Sequence, residues 1–176
     1  MESRLIAYVP QSEEVDWSFP VLVEDVVMMG RYGHMNFLRI ASKRDRQIVD
    51  EALNRVGMTD YRKRQIGELS GGQKKRASLA NETVSRPDLL FLDEVTSGLD
   101  EQTDLEMMRL FRRRAEEGMT VVCVTHTLAN VEECCHKVAI LAPGGFLAFL
   151  GTPREACAYF GIDRLAAVYA LSLIHI

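Results

Sequence analysis

No apolar run in the 176 residues approaches the ~20 needed to cross a bilayer, and no charged-then-apolar leader opens the chain, so the expectation is a protein that stays in the cytosol. Cysteine is scarce at four residues. Cys134 and Cys135 are adjacent and Cys123 lies in an apolar run, which excludes a disulfide framework and leaves too little separation for two thiolates to close a tetrahedral metal site. With a net charge of -4, the chain does not read as a general nucleic-acid binder; Lys74-Lys75-Arg76 and Arg112-Arg113-Arg114 read as solvated helix faces. What is present, 47% hydrophobic and 26% charged residues, predicts one globular unit with a real core.

Proline is also sparse, and each one punctuates an element. Pro10 closes the apolar run Leu5 to Val9, which reads as a buried strand, and Pro20 restricts the entry to the next element. Val21 to Arg31 and Lys43 to Met58 then carry apolar residues at helical spacing, with a loop from Tyr32 to Ser42 between them. Pro87 ends the helix that carries Ala77, Ala80 and Val84. Glu101 to Glu117 repeats the helical period up to Gly118, and Thr120 to Val124 is β-branched and reads as a buried strand. Leu128, Val131 and Cys135 mark a short helix. Val138 to Leu141 and Phe146 to Leu150 predict a hairpin around Pro143-Gly144-Gly145, and Thr152-Pro153-Arg154-Glu155 predicts a capped helix to Tyr159 or Phe160.

The chemistry is concentrated between Glu68 and Asp100. Leu69-Ser70-Gly71-Gly72-Gln73 opens a helix, so that uncovered backbone amides and the helix dipole face an anion. Leu89 to Leu92 reads as a buried strand ending in Asp93 and Glu94, which places two carboxylates at the edge where ligands bind in α/β sheets. Ser97-Gly98-Leu99-Asp100 makes a turn directly afterwards. Taken singly, a Gly-Gly pair at a helix start is a turn and an Asp-Glu pair is a solvated strand end. Their succession, with Gln11 before and His126 after, is what carries information.

That order of motifs resembles the ATP-binding cassette (ABC) ATPases. The resemblance implies an α/β fold of the P-loop NTPase type, a parallel sheet with an inserted helical subdomain. It divides residues 1–170 into catalytic-core parts at 1–11 and 87–170 and a helical and signature subdomain at 12–86. By the same resemblance Glu94 is the base that polarises the attacking water and His126 senses the γ-phosphate, while Asp93 holds Mg²⁺ with help from Gln11. Ser70, Gly71, Gly72 and Gln73 would clasp ATP bound by a second nucleotide-binding domain, and Asp100 would cross the dimer interface. Implied partners are that second domain and a transmembrane permease, beside which Trp17 and Phe19 would dock, with no nucleic acid. The implied location is peripheral, at the cytoplasmic face of the membrane.

Three features depart from the family pattern. The Gly-Lys-Ser/Thr phosphate loop called Walker A occurs nowhere in the 176 residues, so the chain is expected to be a truncated nucleotide-binding domain, inactive alone. The wording from Pro10 to Met35 is similar to importers of manganese, zinc and iron, whereas Ala77 to Phe111 is similar to exporter-type ATPases. A join of two genes through their shared LSGGQ stretch would explain both sides. Finally, Leu171 to Ile176 equals one frame of a transposon end used in library preparation and reads as a non-native tail; as plain sequence it would pass for an amphipathic strand or a frayed helix end. Metal-ion import is the leading expectation. An exporter-type ATPase, a non-transport ABC ATPase and a non-catalytic interaction fragment are the alternatives.

Overall fold

A computed structural model describes residues 6–10, 20–35, 37 and 39–169. Gln11, Trp17, Phe19 and the 171–176 tail lie outside the described residues. Strands β1 (Ile6–Val9), β2 (Leu89–Asp93) and β3 (Thr120–Val124) form a parallel sheet in the order β1-β2-β3, with Tyr8 opposite Phe91 and Asp93 opposite Val124. Parallel neighbours need long crossovers. The first is supplied by α1 (Val23–Met29), α2 (Lys43–Arg55) and α3 (Gly71–Thr83), the second by α4 (Glu101–Glu116).

The helical crossover packs tightly. Val23, Val27, Val49, Leu53, Met58, Ile66, Leu79 and Ala80 are all 2% exposed or less. Full burial of each larger side chain is worth about 1.5–3 kcal/mol. Gly30 is required at the crossing of α1 and α3, because a Cβ there would stand 2.4 Å from the Asn81 carbonyl oxygen. Ser42 and Asp45 close a capping box at the start of α2, and Arg31 ties that box to the end of α1 through an ion pair at 3.2 Å. Hydrogen bonds from Ser42, with Arg31 beside them, hold the Asp45 carboxyl below the usual aspartate range.

The sheet differs from the sequence expectation. All three strands are expected from the sequence to be buried, yet burial alternates along each of them. Ala7, Val9, Leu90, Leu92, Val121 and Cys123 face the core, where α3 packs near β1 and α4 near β3. Ile6, Tyr8, Phe91, Val122 and Val124 line the other face and are 38–67% exposed. Among the described residues no layer covers that second face, so a period of two replaces the continuous burial of a sheet sandwiched between helices. Cys123 is half-buried, and desolvation pushes its thiol up to about 12.

The helices and the hairpin form where the sequence places them, with shifted ends. The Tyr32–Ser42 stretch is not wholly irregular, since Tyr32–His34 forms a 3-10 turn. Short helix α5 (Val131–Cys134) buries Cys134, and no thiol is bridged. Strands β4 (Val138–Ala142) and β5 (Phe146–Gly151) form the antiparallel hairpin, with an irregularity at Ile140/Leu141. Thr152 and Glu155 cap α6 (Pro153–Phe160), which stops at Gly161 in the left-handed conformation.

Candidate nucleotide-handling site

At the carboxyl end of the sheet, β2 delivers Asp93 and the chain then turns sharply. Glu94 follows with φ of 46°, a left-handed backbone that a non-glycine residue adopts at a cost. Its amide donates to the Val124 carbonyl at 2.9 Å, so the end of β3 holds the strained residue in place. Two residues beyond Val124 stands His126, whose Nδ1 lies 3.2 Å from Glu94 Oε1. The fold therefore brings Asp93, Glu94 and His126 to one edge from two adjacent strands.

Tyr8 belongs to this edge and was missed in the sequence. It lies on the same exposed sheet face as Asp93 and donates its hydroxyl to Asp93 Oδ2 at 2.9 Å. That bond, then desolvation and the carboxylate charge, raise the Tyr8 phenol above its ordinary pKa. The available signal was parity: in paired parallel strands, Tyr8 and Asp93 both fall on the face opposite Leu90 and Leu92.

The second half of the candidate site is the start of α3. Ser70 is the N-cap, with its hydroxyl accepting from the Gln73 amide at 3.3 Å and its own amide donating to Gln73 Oε1 at 3.0 Å. Ser70 and Gln73 thus form a capping box, a role beyond the ligand contact expected of them. Gly71 and Gly72 occupy the first turn, whose amides lack intrahelical acceptors. Nothing stands within 4 Å of a Cβ built at Gly71, so the backbone there is open to an approaching group. Gly72 instead packs against α4, where a Cβ would meet Thr103 Cγ2 at 2.7 Å.

Between these halves runs the turn Glu94 to Asp100. Amides of Ser97 and Leu99 donate to Glu94 and Thr96 carbonyls at 2.9 and 3.2 Å, and Gly98 supplies the positive φ of 75°. Asp100 caps α4, accepting from the Thr103 amide at 3.0 Å and hydroxyl at 2.6 Å. Those bonds lower its carboxyl pKa.

Two basic runs expected to be solvated faces are more engaged. Lys75 Nζ donates to the Ser97 carbonyl at 2.7 Å, and Arg76 pairs with Glu106 of α4. Arg114 is buried and pairs with Glu117 at 2.8 Å. Their heads find acceptors on neighbouring residues, except Arg114 Nε, which is buried with no hydrogen-bond partner among the described residues.

A family model described as ABC transporter matches residues 1–97. The chain belongs to the ABC transporter family. Among curated relatives, the chelated iron transport system membrane protein YfeB of Yersinia pestis is 52% identical over 141 residues, covering 80% of this chain and 48% of that protein. The manganese transport system ATP-binding protein MntA of Synechocystis sp. is 52% identical over 140 residues, 80% of this chain and 54% of its own. The zinc transport system ATP-binding protein TroB of Treponema pallidum is 41% identical over 140 residues, 80% of this chain and 53% of its own. The chain spans about half the length of these relatives. A solved structure described as an inward-facing ABC transporter of the metal-chelate type superposes with a TM-score of 0.74 at 29% identity, covering 89% of this chain and 63% of that one.

Among the described residues no helix is long and apolar enough to cross a membrane, and no group of three or more His, Cys, Asp and Glu side chains is placed to hold a metal ion. Mg²⁺ at a nucleotide does not need such a group, since it is bound through one or two carboxylates together with phosphates and waters. Asp93, a single strand-end carboxylate oriented by Tyr8 through one oxygen, fits that demand.

Proposed function

We propose that this chain is the signature-bearing and hydrolytic part of an ATP-driven transporter subunit whose cargo is a metal ion. The observation that carries the reading is the meeting of Asp93, Glu94 and His126 at one sheet edge, joined through the Glu94–Asp100 turn to the open first turn of α3. The names of the relatives support transport of iron, manganese or zinc.

In this reading Glu94, held at the sheet edge by its backbone bond to Val124, accepts the proton of the attacking water. His126 stands against Glu94 and donates toward charge that develops on the γ-phosphate. Mg²⁺, when bound, neutralises phosphate charge, with Asp93 as its protein ligand and Gln11 as a second candidate. First-turn amides of Gly71 and Gly72, with the Ser70 hydroxyl, meet the phosphates of ATP carried by a second nucleotide-binding domain. Asp100 faces that partner domain.

The helical unit within 12–86 meets a transmembrane permease, and the core parts within 1–11 and 87–170 handle nucleotide, at the cytoplasmic face of a membrane. Residues 1–176 contain no Gly-Lys-Ser/Thr phosphate loop. The chain alone is therefore expected to hydrolyse ATP no faster than background, because positioning of the phosphates supplies most of phosphoryl-transfer catalysis. The test is phosphate release by the 176-residue chain, and by a longer chain in which a metal-transporter relative supplies the phosphate loop ahead of Leu5. Turnover only in the longer chain, abolished by Glu94→Gln, supports the reading. Turnover in the short chain that disappears with Glu94→Gln overturns the stated division of labour.

A further inference from the structure

The signature helix and the turn bearing Asp100 are separated by the whole of β2 in sequence, yet one edge of α3 is fastened to that turn. Lys75 reaches the turn itself, while Arg76 and Gly72 hold α3 against the helix that follows it. Lys75 donates from Nζ to the Ser97 carbonyl at 2.7 Å. Arg76, on the adjoining position, pairs with Glu106 on α4 and donates to the Val56 carbonyl at 3.5 Å. Gly72 allows α3 to lie so close to α4 that any side chain would strike Thr103, the same residue whose amide and hydroxyl bind the Asp100 carboxylate.

We infer that Lys75 is a positioning residue that locks the start of the signature helix to the Ser97–Asp100 turn, so that the amides of Gly71 and Gly72 and the carboxylate of Asp100 move as one body. This deepens the proposed function and rests on it for its meaning, since both groups face the same partner domain. The physical basis is local. Ser97 lies inside a turn held by two backbone bonds, Ser97 to Glu94 and Leu99 to Thr96, and a turn containing Gly98 has little stiffness of its own. An ammonium donating to its carbonyl is a charge-assisted bond, stronger than either neutral one. Besides it, α3 meets this region through Gly72, where a Cβ would touch Thr103 Cγ2 and Leu99 Cδ2, and through the Arg76–Glu106 pair to α4.

The test is site-resolved hydrogen exchange on the 176-residue chain without nucleotide, comparing it with Lys75→Met and Lys75→Arg. In Lys75→Met, which keeps the stem but loses the donor, the Ser97 and Leu99 amides should exchange about tenfold faster, the equivalent of one charge-assisted bond. Lys75→Arg, which restores a long cationic donor, should return them to the original rate. Leu90 and Leu92 in β2 should not change in either variant. Unaltered exchange at Ser97 and Leu99 in Lys75→Met overturns the inference, as does an arginine variant as loose as the methionine one. Equal acceleration at Leu90 and Leu92 also overturns it, because the residue would then serve general stability. No nucleotide enters this measurement, so its failure leaves the ATP reading standing, and failure of the Glu94→Gln test leaves the Lys75 lock standing.

Discussion

In the crossover between β1 and β2, Leu53, Met58 and Ile66 are at most 1% exposed and polar groups close on themselves through the Ser42–Asp45 and Ser70–Gln73 boxes. In the sheet that this crossover joins, apolar residues are denser than in the helices, yet only every second one is covered. Ile6 at 67% and Val124 at 56% exposure stand on the open face, and Val124 lies opposite Asp93 in the register. The difference separates two uses of apolar sequence. One set stabilises the fold locally; the other presents a surface that sequence pattern alone reads as core.

The largest expected effect would break this contrast if absent. Leu53→Ala should cost about 2–5 kcal/mol in urea unfolding, because it leaves a cavity among fully packed neighbours. Val122→Ala, on the open face, should cost no more than about 0.5 kcal/mol. Equal costs would mean that the two regions are packed alike. A smaller effect sharpens the role of the open face: Val122→Lys with Val124→Lys should reduce self-association in sedimentation and lower binding of an apolar dye, with little change in melting temperature. Smaller again is the capping box, where Ser70→Ala should cost about 1 kcal/mol and fray the first turn of α3 by hydrogen exchange.

The smallest is a pH effect at the start of α4. Hydrogen bonds from Thr103 depress the Asp100 pKa in the folded chain, so its contribution to stability is complete above the unfolded value and is lost as pH falls through the folded one. Protection of the Thr103 and Asp104 amides, taken relative to their intrinsic exchange at each pH, should therefore fall on acidification through and below the ordinary aspartate range. In Asp100→Asn that acid step should vanish.

Much of this was legible in the sequence because strong local signals marked it. Prolines 10, 87 and 153 bound their elements, Ser70 and Thr152 opened helices, and the run Leu89 to Asp93 became the central strand. Glu94 and His126 fall together because each ends a strand of one parallel pair. What escaped depends on partners remote in sequence. Tyr8 reaches Asp93 across 85 positions, and Lys75 reaches Ser97 from a run that composition marks only as charged. The open face of β1, β2 and β3 escapes for the same reason, since a short apolar run is compatible with one covered face or two. Gln11, the remaining site residue expected from the motifs, lies outside the described residues.

The central claim is that the start of α3 and the end of β2 form half of an ATP-holding interface. Its most direct test is the molar mass, with and without ATP and Mg²⁺, of the longer chain carrying a relative's phosphate loop ahead of Leu5. Glu94→Gln in that chain should form a dimer when ATP is added, because it lacks the base but keeps Asp93 and Ser70. Adding Ser70→Arg should leave a folded monomer, as bulk and positive charge would fill the approach to the Gly71 and Gly72 amides. A folded Glu94→Gln chain whose mass ignores ATP, or a dimer that Ser70→Arg leaves intact, would contradict the assignment of this surface.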